Sequence, residues 1–172
     1  MKALISTFLM VALLALNAQA QEDKSKRKSP PVQIQAVHDG VTMTIDYSAP
    51  AVKGRTTWGG RLVPYDKIWR TGANEATWIE INKDIVVEGK PLKAGKYSIF
   101  TIAKQDGTAT IIFNKVWEQW GGYQYDESKD ALRIEVKKQA SETPTERMTF
   151  EVNGDMIRLL WDDWYLPIQY ST

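Results

Sequence analysis

Three glycine-containing dipeptides, Asp39-Gly40, Asp106-Gly107 and Asn153-Gly154, punctuate runs of alternating apolar and polar residues. A two-residue type I′ turn needs positive φ at both central positions, which Asn-Gly and Asp-Gly supply, so each dipeptide reads as the tip of a β-hairpin. Before the first tip Val32, Ile34 and Ala36 alternate with polar neighbours. After it Val41, Met43, Ile45 and Tyr47 share one face, with Thr42, Thr44 and Asp46 on the other. A period of two belongs to a strand and cannot line one side of a helix. The second tip joins residues 97–103 to 108–114, and the third joins 148–152 to 156–161. Further strands are expected at 77–82, 85–88, 132–137 and 164–169. In the third of these Leu132, Ile134 and Val136 alternate with charged residues, so one face should be solvated. Residues 88–97 read as two turns around a short edge segment. No long amphipathic helix is expected after the first twenty residues, only a turn or two near 65–69 and 127–131. The expected fold is all-β, a single antiparallel β-sandwich, jelly-roll-like or an irregular barrel.

The first twenty residues read as a signal peptide. Lys2 is followed by an uncharged, mostly apolar run, and Ala18-Gln19-Ala20 supplies the small-x-small cleavage pattern. The run is short for a membrane span, so a retained anchor helix is the lesser reading. Cleavage after Ala20 would place the mature chain in the periplasm or outside the cell. The chain has no cysteine. It therefore lacks the cysteine that a lipoprotein needs just after cleavage, forms no disulfide and must be held by its core, which its length allows. Residues 21–31 are polar, end in two prolines and read as a flexible tail. Its basic cluster at 24–28 fits a solvated spacer better than a lipid contact. Residues 32–172 then form one domain. Without Lys2 the basic and acidic residues are equal in number, which argues against nucleic acid or anionic lipid as a partner. No second segment approaches membrane-spanning length.

Chemistry-bearing side chains are densest at Trp69-Arg70-Thr71-Gly72-Ala73-Asn74-Glu75-Ala76-Thr77. Arg55, Arg70, Asn74 and Glu75, with Trp69 and Tyr65 for stacking, have the character of a polar ligand site. The competing and weightier reading is a structural clamp, an Arg70–Glu75 or Arg55–Glu75 ion pair pinning a long loop. Glu75 with Asp46 or Asp66 could also make the carboxylate pair of a glycosidase. Trp117, Trp120 and Tyr123 flank Gly121-Gly122 and suit either a sugar-binding surface or a plug of the sandwich, while Trp78, Phe113 and Trp161 read as core. The lone His38 reads as an exposed turn residue. One histidine and no cysteine exclude a zinc site of the usual kind. The acidic run 126–130 is interrupted by Lys129, lacks the turn glycine of a calcium loop and reads as a solvated turn. No phosphate loop or dinucleotide fingerprint occurs, and no cofactor is expected.

The chain resembles a family of secreted bacterial proteins, domain of unknown function 2911. The likeness is carried by Ile45-Asp46-Tyr47-Ser48-Ala49-Pro50, Val52-Lys53-Gly54-Arg55, Leu62-Val63-Pro64-Tyr65 and the tryptophan-led run at 68–77. It continues through residues 87–92, 94–100 and 112–115, Trp120-Gly121 and Asp130-Ala131-Leu132-Arg133. At Ala49 the family is expected to favour arginine. The resemblance implies a secreted all-β domain and no particular activity. The function expected from these features is that of a non-catalytic exported module binding a glycan or another polar envelope component. The alternatives are a glycan or ester hydrolase using Glu75 and a structural envelope protein binding other proteins. An aromatic-lined groove would favour the first, a cleft holding a carboxylate of raised pKa the second, and a large apolar patch the third.

Overall fold

The computed structural model describes residues 23–172, so the expected leader lies outside the described residues. The strands are β1 (Pro31–His38), β2 (Val41–Ser48), β3 (Ile68–Trp69), β4 (Trp78–Ile81), β5 (Ile85–Val87) and β6 (Lys90–Leu92). They continue with β7 (Gly95–Ala103), β8 (Thr108–Asn114), β9 (Asp130–Lys137), β10 (Gln139–Asn153) and β11 (Met156–Ser171). Among the described residues the helical elements are two short 3-10 turns, Lys24–Lys26 and Glu127–Lys129. None is long or apolar enough to cross a membrane. One antiparallel sheet runs β1-β2-β4-β7-β8-β9, with β3 also on β7, and the other runs β10-β11-β5-β6. The inner faces of both sheets share one core, from Met43 and Ile45 through Ile79, Ile99 and Ile111 to Leu159, Leu166 and Ile168. The two sheets stay separate rather than closing into a barrel.

All three turns close hairpins, but only the first takes the expected form. Asp39 (φ 47°) and Gly40 (φ 73°) are both left-handed, between the paired His38 and Val41. At the third, Asn153 pairs with Met156, so the loop is Gly154-Asp155 with glycine leading at φ 60°, the arrangement of a type II′ turn. At the second, only Gly107 is left-handed (φ 85°), and a wider loop closes through Lys104 N–H to Thr108 O (2.8 Å).

Residues 156–161 and 164–169 were expected as separate strands and instead form one long strand, β11. Ile157, Leu159 and Trp161 face the core, and so do Trp164, Leu166, Ile168 and Tyr170. The alternation slips by one residue at the left-handed Asp162 (φ 59°), which acts as a bulge rather than a turn. The slip puts Trp161 and Trp164 inside together. A chain of indoles follows, Trp58–Trp164–Trp161–Trp69, with ring centroids 5.1, 6.3 and 5.7 Å apart.

Candidate functional site

The run at 69–77 is an excursion from a single sheet edge. Trp69 pairs with Thr101 of β7, and Trp78 pairs with Ser98 of the same strand, so the chain leaves β7 and returns to it. The neck is closed by Thr77 N–H to Arg70 O (3.2 Å) and Thr77 Oγ1 to Thr71 O (2.7 Å). Trp69 Nε1 donates to Gly72 O (3.1 Å) and the Thr71 and Thr101 hydroxyls meet at 2.9 Å. Gly72 is required by crowding, since a Cβ there would lie 2.9 Å from Thr77 Oγ1 and 3.1 Å from Ser48 O. Thr71 is held at φ 55°, a conformation that costs a β-branched residue energy and persists only where the surroundings over-determine it.

The expected clamps between arginine and Glu75 are not formed. Arg55 is spent on its own loop, with Nε on Val52 O (3.0 Å) and a terminal nitrogen on Ala51 O (2.6 Å). Arg70 runs toward Gly121 and Tyr123. Glu75 is claimed by the segment read as a flexible tail. Arg27 donates to both carboxylate oxygens (2.7 and 3.0 Å), and Lys24 lies 3.0 Å away. Asn74 Nδ2 donates to Ser29 O (3.1 Å), and Ala49 N–H donates to Pro30 O (2.9 Å). Residues 24–30 thus form a strap across the loop, and Arg27 lies 5.8 Å from the Trp120 ring centroid.

Burial alone would raise the Glu75 pKa, but hydrogen bonds from Arg27 and Lys24 and the Lys24 charge outweigh it and hold it at about 2. A depressed folded-state pKa contributes stability that is present above the ordinary carboxylate value and lost as pH falls through the folded one. The carboxylate is 38% exposed, so screening keeps the contribution under about 1 kcal/mol. A carboxyl-detected NMR titration should therefore place the Glu75 midpoint at about 2, with the Arg27 side chain released in the same step. A midpoint at 4.5, the ordinary value, would mean that the strap is not bound.

Between strap, loop and sheet lies a groove of about 430 Å³. Its floor is the outer face of the larger sheet, where Asp46 of β2 and Trp78 of β4 are paired neighbours. Trp78 is half-buried, not core as expected, whereas Trp161 and Phe113 are fully inside. The alternation carried this signal, because Trp78 shares a face with the exposed Glu80 and opposes Ile79 and Ile81. Lys96 sits over both Trp78 and Trp117, 3.4 and 3.7 Å from their centroids. The roof is the segment after β8, which brings Trp117, Gln119 and Trp120. It is stitched to the loop by Ala76 N–H to Gln119 O (3.0 Å) and Gly121 N–H to Asn74 O (3.1 Å). Burial raises the Asp46 pKa, partly opposed by the Gln33 hydrogen bond and by Lys24 and Lys96, and the Glu75 charge adds to the rise. Gln119 is 7% exposed; its Nε2 donates to Val116 O (2.6 Å), while its Oε1 is buried without a donor.

The expected set is therefore divided. Glu75, Trp117 and Trp120 meet at the groove, joined by Asp46. Arg55, Trp69 and Arg70 border a second cavity. Tyr65 lies on a third surface with Trp58, Lys138, Asp162 and Asp163, which Arg55 also borders, Asp66 is exposed, and Tyr123 is 87% exposed beside Gly121. The acidic run near 130 is only partly a solvated turn, since Asp130 is nearly covered and binds Asn114, Tyr125 and Arg133. No acidic or histidine cluster among the described residues is arranged to hold a metal.

These features define a two-sheet antiparallel β domain with an aromatic-walled, carboxylate-bearing groove on the outer face of its larger sheet. The chain belongs to the family described as protein of unknown function DUF2911, which matches residues 29–170. Lys24 and Arg27 precede the matched span. No curated protein and no solved structure matches the chain.

Proposed function

We propose that the protein is an exported, non-catalytic binding module whose groove takes a glycan or another polar component of the cell envelope. The observation that carries this reading is the buried, donor-free Oε1 of Gln119 at the wall of the groove. Buried acceptors are nearly always paired, and a ligand hydroxyl would complete this one. Trp120, 55% exposed, offers a ring for stacking, and Asp46 and Glu75 add acceptors for further hydroxyls. Among the described residues, three of the five exposed large apolar side chains, Val116, Trp120 and Tyr123, also belong to this one segment.

The raised pKa of Asp46 beside an ionised Glu75 favours a hydrolase as the second reading, because carboxylates with divergent pKa values divide acid and base roles. Binding is preferred because Glu75 is pinned at about 2 by two cations, far from the near-neutral value of an effective general base. The test is retention of soluble envelope polysaccharides on immobilised protein. Trp120→Ala is expected to weaken retention about tenfold or more, the scale of losing a central aromatic contact. No new reducing ends should appear on incubation. Undiminished retention by Trp120→Ala, or no retention by the native protein, would remove the binding reading. Reducing ends that vanish in Glu75→Gln would install the hydrolase instead.

A further inference from the structure

We propose that the cavity bordered by Arg55, Arg61, Arg70 and Trp161 is an oxyanion site, taking the carboxylate or phosphate of a small polar ligand. It is separate from the aromatic groove and does not depend on the glycan reading. The cavity encloses about 260 Å³; three of its lining residues are arginines and none is acidic. Among the described residues, none of these three arginines forms an ion pair. Arg55 and Arg61 are exposed and Arg70 is half-buried; like charges gathered round one cavity repel, and an anion sharing the space relieves that repulsion.

The donors are also set in place. Arg55 is fixed by the carbonyls of Ala51 and Val52, which leaves its other terminal nitrogen uncommitted. Arg70 Nε is buried with no acceptor, and burial lowers the pKa of that guanidinium, partly offset by Tyr123. Trp161 is 1% exposed and its Nε1–H also lacks an acceptor. Its ring is stacked on Trp69 at 16° between planes, so the indole is not free to turn toward a partner. Guanidinium and indole groups donate and do not accept. A ligand in this cavity meets arginine donors and no acidic side chain, so it must be rich in acceptors, and neutralising the arginines requires negative charge. The volume is just under the usual ~300–1,000 Å³ of small-molecule pockets, which suits an inorganic phosphate or a single sugar acid.

Calorimetric titration of the protein with inorganic phosphate and with glucuronate, against potassium chloride at equal ionic strength, tests this. At least one should bind with a Kd below ~10 mM. Phosphate alone would identify a phosphate ester as the ligand class, glucuronate alone an acidic sugar, and both a general oxyanion site. Arg61→Met and Arg70→Met should each weaken binding about tenfold, the loss expected for one charge-assisted hydrogen bond. Without anion, Arg70→Met should melt at the same or a higher temperature than the native protein, because an unpaired half-buried charge is removed, and it should lose the anion-dependent rise in Tm. No heat beyond the chloride control, or full affinity in Arg70→Met, would overturn the assignment.

Discussion

Trp164→Ala is expected to destabilise the protein by about 3–5 kcal/mol, the range for deleting a large buried aromatic. The side chain is 1% exposed and lies between Trp58 and Trp161. Its Nε1 donates to Thr57 Oγ1 at 2.7 Å, and Thr57 in turn lies 3.1 Å from Asp162 Oδ2, at the bulge of β11. Truncation would open a cavity between the two sheets and strip Thr57, itself 1% exposed, of a donor. Urea unfolding should show the midpoint falling with the slope unchanged. Trp164→Phe retains much of the packing and loses the hydrogen bond, so it should cost clearly less. A loss below about 1 kcal/mol for the alanine variant would mean that this part of the core collapses without penalty.

The second large effect is expected at Asn114. It is fully buried at the end of β8. Its Oδ1 accepts from Val116 N–H (2.9 Å), and its Nδ2 donates to Asp126 O (2.9 Å) and Asp130 Oδ1 (2.7 Å). One amide thereby fastens both ends of the segment that carries Trp117, Gln119 and Trp120. Asp130 passes the network on to Tyr125 (2.7 Å) and to Arg133 Nε (2.7 Å); burial and Asp130 push the Tyr125 hydroxyl up to about 12. Asn114→Leu keeps the branching and the heavy-atom count but strands those polar partners, at a cost of about 3 kcal/mol or more. Amide exchange should accelerate over residues 115–125 well before global unfolding, and retention of polysaccharide should fall with it. A variant with native exchange rates there would show that the segment holds its shape by other means.

The fold was legible because its evidence is local. Alternation in 41–47 and 132–137 states which side chains face inward, and a glycine after aspartate or asparagine states where the chain reverses. The bulge at Asp162 was not legible, because Asp162-Asp163 has the composition of a turn and only the buried Trp161 and Trp164 on either side reveal a continuous strand. The site was legible in membership and not in partnership. Glu75, Asn74, Trp117 and Trp120 were picked out by residue type, and Glu75 was set beside Asp46. Its cations could not be, since Lys24 and Arg27 stand about fifty positions upstream in a stretch with the composition of a spacer. Composition describes what apolar surface a segment can bury, and a side chain that the strap does cover is the charged Arg27, 13% exposed; the strap is held by Glu75, Asn74 and backbone hydrogen bonds.

The seven tryptophans fall into two optical populations. Trp58, Trp69, Trp161 and Trp164 are buried in the indole chain across the core. Trp78, Trp117 and Trp120 line the groove. The first set should emit at short wavelength and resist acrylamide, and the second should emit toward the red and be quenched. Red-edge emission would then follow occupancy of the groove while the blue component reports only the integrity of the core, giving the protein two internal gauges that need no label.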